Sequence, residues 1–193
     1  MCRNLNVKRF RNGDPIREAR TAERWLSAAR DRRPAWCFFD NFAQHGRIYG
    51  KLYNWYAIAD PRGLAPEGWR VPDARDWDRL AESVGGTTQA GVKLKSSRGW
   101  DWDGHGTDES GFRALPGGCR RETGEFRGIE DDGLWWKDDG FWWTSTPFEG
   151  DSAWLRNLAG NSGAIYAYSF DKGSGLSVRC LRDRPDVSFP RDL

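Results

Sequence analysis

At 193 residues with a formal net charge of +2, the chain is long enough for one domain with a sizeable core, and its overall charge points to no partner. Mean hydropathy is −0.80, yet 12 tryptophans and 14% aromatic residues exclude a disordered chain and predict a core that leans on indoles. Residues 1–40 hold ten basic and five acidic side chains, whereas residues 99–151 hold five basic and thirteen acidic ones; that acidic stretch would repel phosphate, so nucleic acid is not an expected partner.

No apolar run reaches the roughly 18 residues that a membrane span needs. The opening MCRNLNVKRF lacks the apolar region and cleavage pattern of a signal peptide, which leaves localisation open. Cys2, Cys37, Cys119 and Cys180 allow several pairings, and buried thiols and a disulfide both remain open.

In chain order, Val7 and Phe10 anchor an irregular entry. Ala22, Trp25, Leu26 and Ala29 recur at helical spacing and predict a helix from about Pro15 or Thr21 to Arg30, ended by Pro34. WCFF at 36–39 reads as a short strand followed by a polar turn. Residues 49–60, YGKLYNWYAIAD, fit a short helix or a buried irregular segment. Asp73 is an N-cap with Asp76 three residues on, and Trp77, Leu80, Ala81 and Val84 form one face of a helix stopped by Gly85-Gly86. A short helix is expected over 88–95 and a loop over 99–111. Beyond that the pattern predicts strands at 141–145, 153–158, 164–170 and 177–181. Helices first and a meandering sheet second predict an α+β domain over residues 1–183, with a tail at 184–193.

Reaction motifs are absent: there is no H-E-x-x-H, G-x-S-x-G, P-loop, Rossmann glycine run or C-x-x-C, and His45 and His105 read as surface histidines. No catalytic residue and no resident cofactor are expected. Asp101, Asp103, Asp108 and Glu109 on a glycine-broken loop suit calcium, which takes roughly six to eight oxygen ligands, but the EF-hand pattern fails at Phe112. A second acidic cluster, Glu130, Asp131, Asp132, Asp138 and Asp139, ranks below it. Carboxylates flanked by tryptophan also admit a glycosidase, the weakest reading. Trp69 and Trp77 read as core. The pairs Trp135–Trp136 and Trp142–Trp143 lie on consecutive positions, so one of each pair should point away from the core unless both faces are covered.

Several motifs carry a family resemblance: MCRNLN (1–6), YGKLYNWYA (49–57), PEGWRVPDARDW (66–77), AGVKLKS (90–96), DESGFRALPGG (108–118), FWWTST (141–146), AWLRNL (153–158) and GLSVRCLRD (175–183). In order and spacing they resemble the Fibrobacter succinogenes major paralogous domain family of bacteria, whose fold is C-type-lectin-like, of the formylglycine-generating-enzyme subtype, with helices packed on short twisted antiparallel sheets. Members commonly carry a cysteine where this chain has Leu64-Ala65, so the resemblance leaves Cys180 able to be a buried thiol. The fold is also similar to the variable proteins of diversity-generating retroelements. That likeness implies ligand contacts between the constant motifs, at Phe148, Asp151, Trp154, Asn157, Asn161, Ser162, Tyr166 and Tyr168, with a protein or a surface glycan as ligand; strand alternation adds Trp143 as a candidate contact. Trp69, Trp77, Gly111, Arg113, Arg179 and Cys180 are read as structural. The enzymes of this fold need a reactive cysteine pair or a histidine cluster, neither of which this chain offers. The reading is a non-enzymatic recognition domain; the alternatives are an assembly domain without a ligand of its own and, more weakly, a carbohydrate-active enzyme.

Overall fold

The computed structural model describes residues 3–101, 104–128 and 138–183. The elements run β1 (Arg17–Glu18), α1 (Ala22–Arg30), β2 (Ala35–Cys37), a 3-10 turn (Phe39–Asn41), α2 (Ala43–Ile48), β3 (Leu52–Asn54) and α3 (Trp55–Ile58). They continue with β4 (Trp69–Arg70), α4 (Ala74–Ser83), α5 (Ala90–Leu94), β5 (Cys119–Arg120) and β6 (Phe126–Arg127). The long strands β7 (Gly140–Pro147), β8 (Ser152–Leu158) and β9 (Ile165–Asp171) follow, then β10 (Gly175–Leu176) and β11 (Leu181–Arg182). The chain is α+β, as its pattern predicts.

Strand order is β1-β2-β3-β10-β5-β6 in one sheet, β11-β4 in a second and β7-β8-β9 in a third. Strands β1 to β4 thus alternate with the early helices, so the expected order of helices first and strands second is corrected. These strands are two or three residues long and too short to show a period of two in the sequence.

Local chemistry sets the helices. Thr21 caps α1 by accepting from Arg24 N, and Trp25 and Ala28 are buried, whereas Leu26, expected on the inner face, is 45% exposed. Asp73 caps α4 in a reciprocal capping box with Asp76, and Trp77 and Ala81 face inward. The polar turn expected around Asp40 and Asn41 is the 3-10 turn, and His45, expected in a polar turn, lies within α2 instead.

The β7-β8-β9 sheet is covered on both sides. Trp143 belongs to a core cluster with Tyr53, Phe141 and Leu155, and Trp142 to another with Trp77, Trp100 and Leu158. Both indoles are fully buried, so neither member of this pair points to solvent. Trp135 and Trp136 lie outside the described residues, as do Cys2 and the 184–193 tail. The strand expected at 177–181 is replaced by β10 and β11 with a buried crossing between them. Ser177 and Val178 hydrogen-bond sideways there, Trp143 N to Ser177 O at 3.0 Å and Leu5 N to Val178 O at 2.8 Å. Cys37 and Cys119 are buried thiols, each pushed up to about 12 by burial. Cys180 is also buried, and burial pushes it up to about 11.

Candidate functional site

The 159–164 turn between β8 and β9 is held from beneath, by contacts to its backbone. Lys95, at the C-terminal end of α5, is 3% exposed, and its Nζ donates to Ala159 O (3.1 Å), Gly160 O (3.4 Å) and Ser162 O (2.8 Å). The ammonium lies 5.1 Å from the Trp100 ring, and burial lowers its proton affinity below that of an ordinary lysine. Gly91 of α5 lies so close to the turn that a Cβ there would sit 2.7 Å from Ala164 O and 2.8 Å from Gly163 O. Ile165 N donates to Thr87 O at 2.8 Å.

On this support stands a small polar-aromatic rim. Ser162 Oγ bonds the Tyr166 hydroxyl at 2.8 Å and accepts from Ala164 N at 3.1 Å. The Tyr166 and Tyr168 rings stack with centroids 6.0 Å apart and planes 17° apart, and the two residues are 37% and 45% exposed. Asn161 is exposed at the head of the turn. The stack follows from strand geometry, because residues i and i+2 share a face. β9 is the last strand of its sheet, so nothing among the described strands covers it.

The register divides the sequence-predicted contacts. Tyr166 lies opposite Asn157 and Tyr168 opposite Leu155, whereas Trp154 lies opposite Ser169 on the other face. Trp154 packs against Phe148 there, with centroids 4.7 Å apart. Asp151 is exposed and paired with Arg32 at 2.7 Å, near the far end of β9. Asn161, Ser162, Tyr166 and Tyr168 therefore come together, and Phe148, Asp151 and Trp154 do not join them.

Two predicted contacts belong to the core. Trp143 is fully buried with its indole N–H donated to Tyr53 O at 2.9 Å. Asn157 is 2% exposed and donates to Asp139 Oδ2 at 3.0 Å. A retroelement-like pattern selects positions between motifs and cannot tell which of them the neighbouring elements cover.

In the acidic loop, Asp108 accepts from Arg113 N and Nε, and Glu109 lies 3.6 Å from Lys93. Asp101 is exposed, and Asp103 lies outside the described residues, as do Glu130, Asp131 and Asp132. Among the described residues no group of three His, Cys, Asp or Glu side chains converges as a metal site. Gly111 and Arg113 both take positive φ in the turn closed by Asp108. Arg179 is buried against Phe112 and donates to Asn4 Oδ1 at 2.7 Å. Trp77 is buried, and Trp69 is half-buried beneath Arg182.

Asp139 lies below the rim, 5% exposed, and burial raises its carboxyl to about 6 despite the hydrogen bond from Asn157. Since the ordinary value is 3.8, the folded state holds the proton over a window from about pH 4 to 6 in which the unfolded chain has lost it. This contribution therefore disfavours folding increasingly as pH rises through that window, and fully above it. Asp139→Asn is expected to be more stable than the parent by about 1–3 kcal/mol at pH 7, with the difference vanishing near pH 4. Urea unfolding of both proteins across that range is the check; a difference that does not change with pH would refute the assignment.

Lys95 was not singled out by sequence reasoning, and Asp139 only as a member of the second acidic cluster. The only signal for Lys95 is its place within AGVKLKS, where it reads as one more lysine at a helix end.

Compared with known proteins, residues 1–182 match the family model described as the Fibrobacter succinogenes major domain. No curated protein and no solved structure matches the chain.

Proposed function

The chain belongs to the Fibrobacter succinogenes major domain family, and from that premise we propose that it is a non-catalytic recognition domain on a C-type-lectin-like scaffold. Its contact surface is the rim of Asn161, Ser162, Tyr166 and Tyr168. The observation that carries this is the pair of stacked, exposed tyrosines tied by hydrogen bond to Ser162. Tyrosine, serine and asparagine together are the composition of adaptable protein-binding surfaces: rigid amphipathic rings with small polar neighbours. Ser162 Oγ is engaged by a phenol and a backbone amide, an arrangement that orders a surface and activates no nucleophile.

The ligand is a protein surface. The turn's supports from Lys95 and Thr87 go to main-chain atoms, so side chains at 161, 166 and 168 can differ without removing those supports. That tolerance is what a diversified binding position requires, and it supports the retroelement variable-protein reading.

A second reading, an assembly domain, is favoured by the edge of β9. Ile165 N turns outward to Thr87, which by antiparallel alternation turns the main-chain groups of Ala167 and Ser169 outward as well. Residues 165–170, IYAYSF, carry no charge or proline to discourage pairing with another strand.

One experiment separates these readings. The parent and Y166A/Y168A are probed against arrays of bacterial surface proteins and of glycans, with sedimentation run in parallel. The expected result is a protein ligand bound by the parent and weakened at least about tenfold, ~1.4 kcal/mol, in the variant. Unfolding free energy should stay within about 1 kcal/mol of the parent. Ligands that bind both proteins equally would overturn the rim as the contact surface. Self-association of the parent, lost in the variant, would replace recognition by assembly.

A further inference from the structure

The molecule carries a recess beside α4, lined by none of the residues of the tyrosine rim. Its inner part, about 300 Å³, is lined mainly by apolar side chains, Pro72, Trp77, Leu80, Phe112 and Leu181, with Asp76, Ser110 and Arg179 also reaching it. Across Asp76, Leu80 and Leu181, which line both, it adjoins a wider mouth of about 590 Å³ set with Arg70, Arg79 and Arg182. Apolar chamber and cationic mouth are thus neighbours with a shared wall.

The charges at the mouth are held in place. Asp76 is almost wholly buried, and the neighbouring Arg70 holds its carboxyl far below the usual range, so it stays ionised. Arg70 Nη1 and Nη2 and Arg79 Nη2 bond that carboxylate, which fixes two guanidinium groups at the mouth. Arg182 is exposed and lies over the Trp69 ring at 5.4 Å, with no carboxylate paired to it among the described residues. Among the described residues, the ion pair of Asp183 is with Arg70, at 3.8 Å. Asp76, Asp73 and Asp183 all act on Arg70, and Asp76 also holds Arg79, which leaves Arg182 as the guanidinium at the mouth with no paired carboxylate among the described residues.

Leu181, at the junction, is 40% exposed. The buried indole N–H of Trp77, in the chamber wall, has no hydrogen-bond partner among the described residues.

We propose that this recess binds a small amphiphilic oxyanion, with its apolar body in the chamber and its anionic head on Arg79 and Arg182. The charge complementarity is direct. Guanidinium forks match the two oxygens of a carboxylate or a phosphate, and the chamber volume is at the lower end for small-ligand pockets. A neutral apolar molecule would leave the arginines unused. A bare anion would leave the chamber unused. Only a ligand with both parts uses the whole recess.

The test titrates the full chain with octanoate, octyl phosphate, octanol and octyltrimethylammonium by calorimetry. Octanoate or octyl phosphate is expected to bind at least about tenfold more tightly than octanol, with the cation not bound. The tighter of the two oxyanions identifies the head group. Affinity should fall at least about tenfold in R79Q/R182Q. It should fall likewise in Leu181→Glu, which sets a competing carboxylate at the exposed lip without touching the core. Equal binding of octanol and octanoate, unchanged binding in both variants, or no heat at millimolar oxyanion would each overturn the proposal.

Discussion

Replacing Asn4 by alanine is expected to lower the free energy of unfolding by about 3–5 kcal/mol, read from urea denaturation. Asn4 sits where the N-terminal segment crosses the C-terminal one, and its side chain serves four partners. Its Nδ2 donates to Tyr49 O at 2.8 Å and to Ser177 Oγ at 3.1 Å. Its Oδ1 accepts from Trp142 Nε1 at 2.9 Å and Arg179 Nε at 2.7 Å. The two acceptor bonds matter more. Trp142 is fully buried and Arg179 is 3% exposed, so alanine strands an indole N–H and a guanidinium N–H away from water. Asn4→Asp keeps an oxygen for both donors and adds charge opposite Arg179, so it should lose no more than about 2 kcal/mol. If alanine and aspartate prove equally mild, the crossing is held by its main-chain bonds, Leu5 N to Val178 O and Lys51 N to Leu5 O, and the side chain is dispensable.

The same crossing shows what the sequence made legible. Asp73 and Asp76 announce α4 because a capping box is written in four consecutive residues and needs nothing distant. Thr21 and Trp25 do the same for α1. The β7-β8-β9 meander was readable because each strand is seven or eight residues long. The run 177–181 has strand composition as well, yet its hydrogen bonds go to Leu5 and Trp143, partners at far positions, and composition carries no record of them. Trp142 and Trp143 illustrate the same limit. Alternation says that they point to opposite faces, but whether both faces are covered depends on α4 packing over one side and β3 lying beneath the other.

For the candidate site, the tyrosines were legible from period two, whereas their support was not. The charged residues that organise the interior pair mainly with main-chain carbonyls and rings, a partnership with no sequence signature. Lys51 donates to Asn6 O at 2.8 Å and lies 4.6 Å from the Trp36 ring. Arg120, 1% exposed, donates to Ala19 O at 2.7 Å and Gly124 O at 3.0 Å and lies 4.9 Å from the Trp25 ring. Arg179 lies 4.2 Å from Phe112. The many indoles thus have a use beyond apolar area: their faces offset part of the desolvation of buried cations, while loop carbonyls take the N–H donors. These basic residues are fasteners of irregular chain.

Lys95 gives the sharpest test of that principle, because its removal should disturb a surface that it does not touch. Lys95→Met keeps the length and apolar stem of the side chain and removes all three donors. The carbonyls of Ala159, Gly160 and Ser162 then lose a shared partner inside a site already closed to water. The expected destabilisation is about 2–4 kcal/mol, moderated because burying the ammonium was itself unfavourable. Lys95→Arg should not restore the parent, since a planar fork cannot converge on three carbonyls gathered around one point. Hydrogen exchange localises the effect: amides of 160–164 in Lys95→Met should exchange faster by at least about tenfold than in the parent, while those of β2 and β3 change only with global stability. A ligand held by Tyr166 and Tyr168 should weaken in parallel, because the Ser162 hydroxyl that fixes Tyr166 moves with the turn. Uniform acceleration across all strands would make Lys95 an ordinary contributor to stability; acceleration confined to the turn makes it the anchor of the recognition surface.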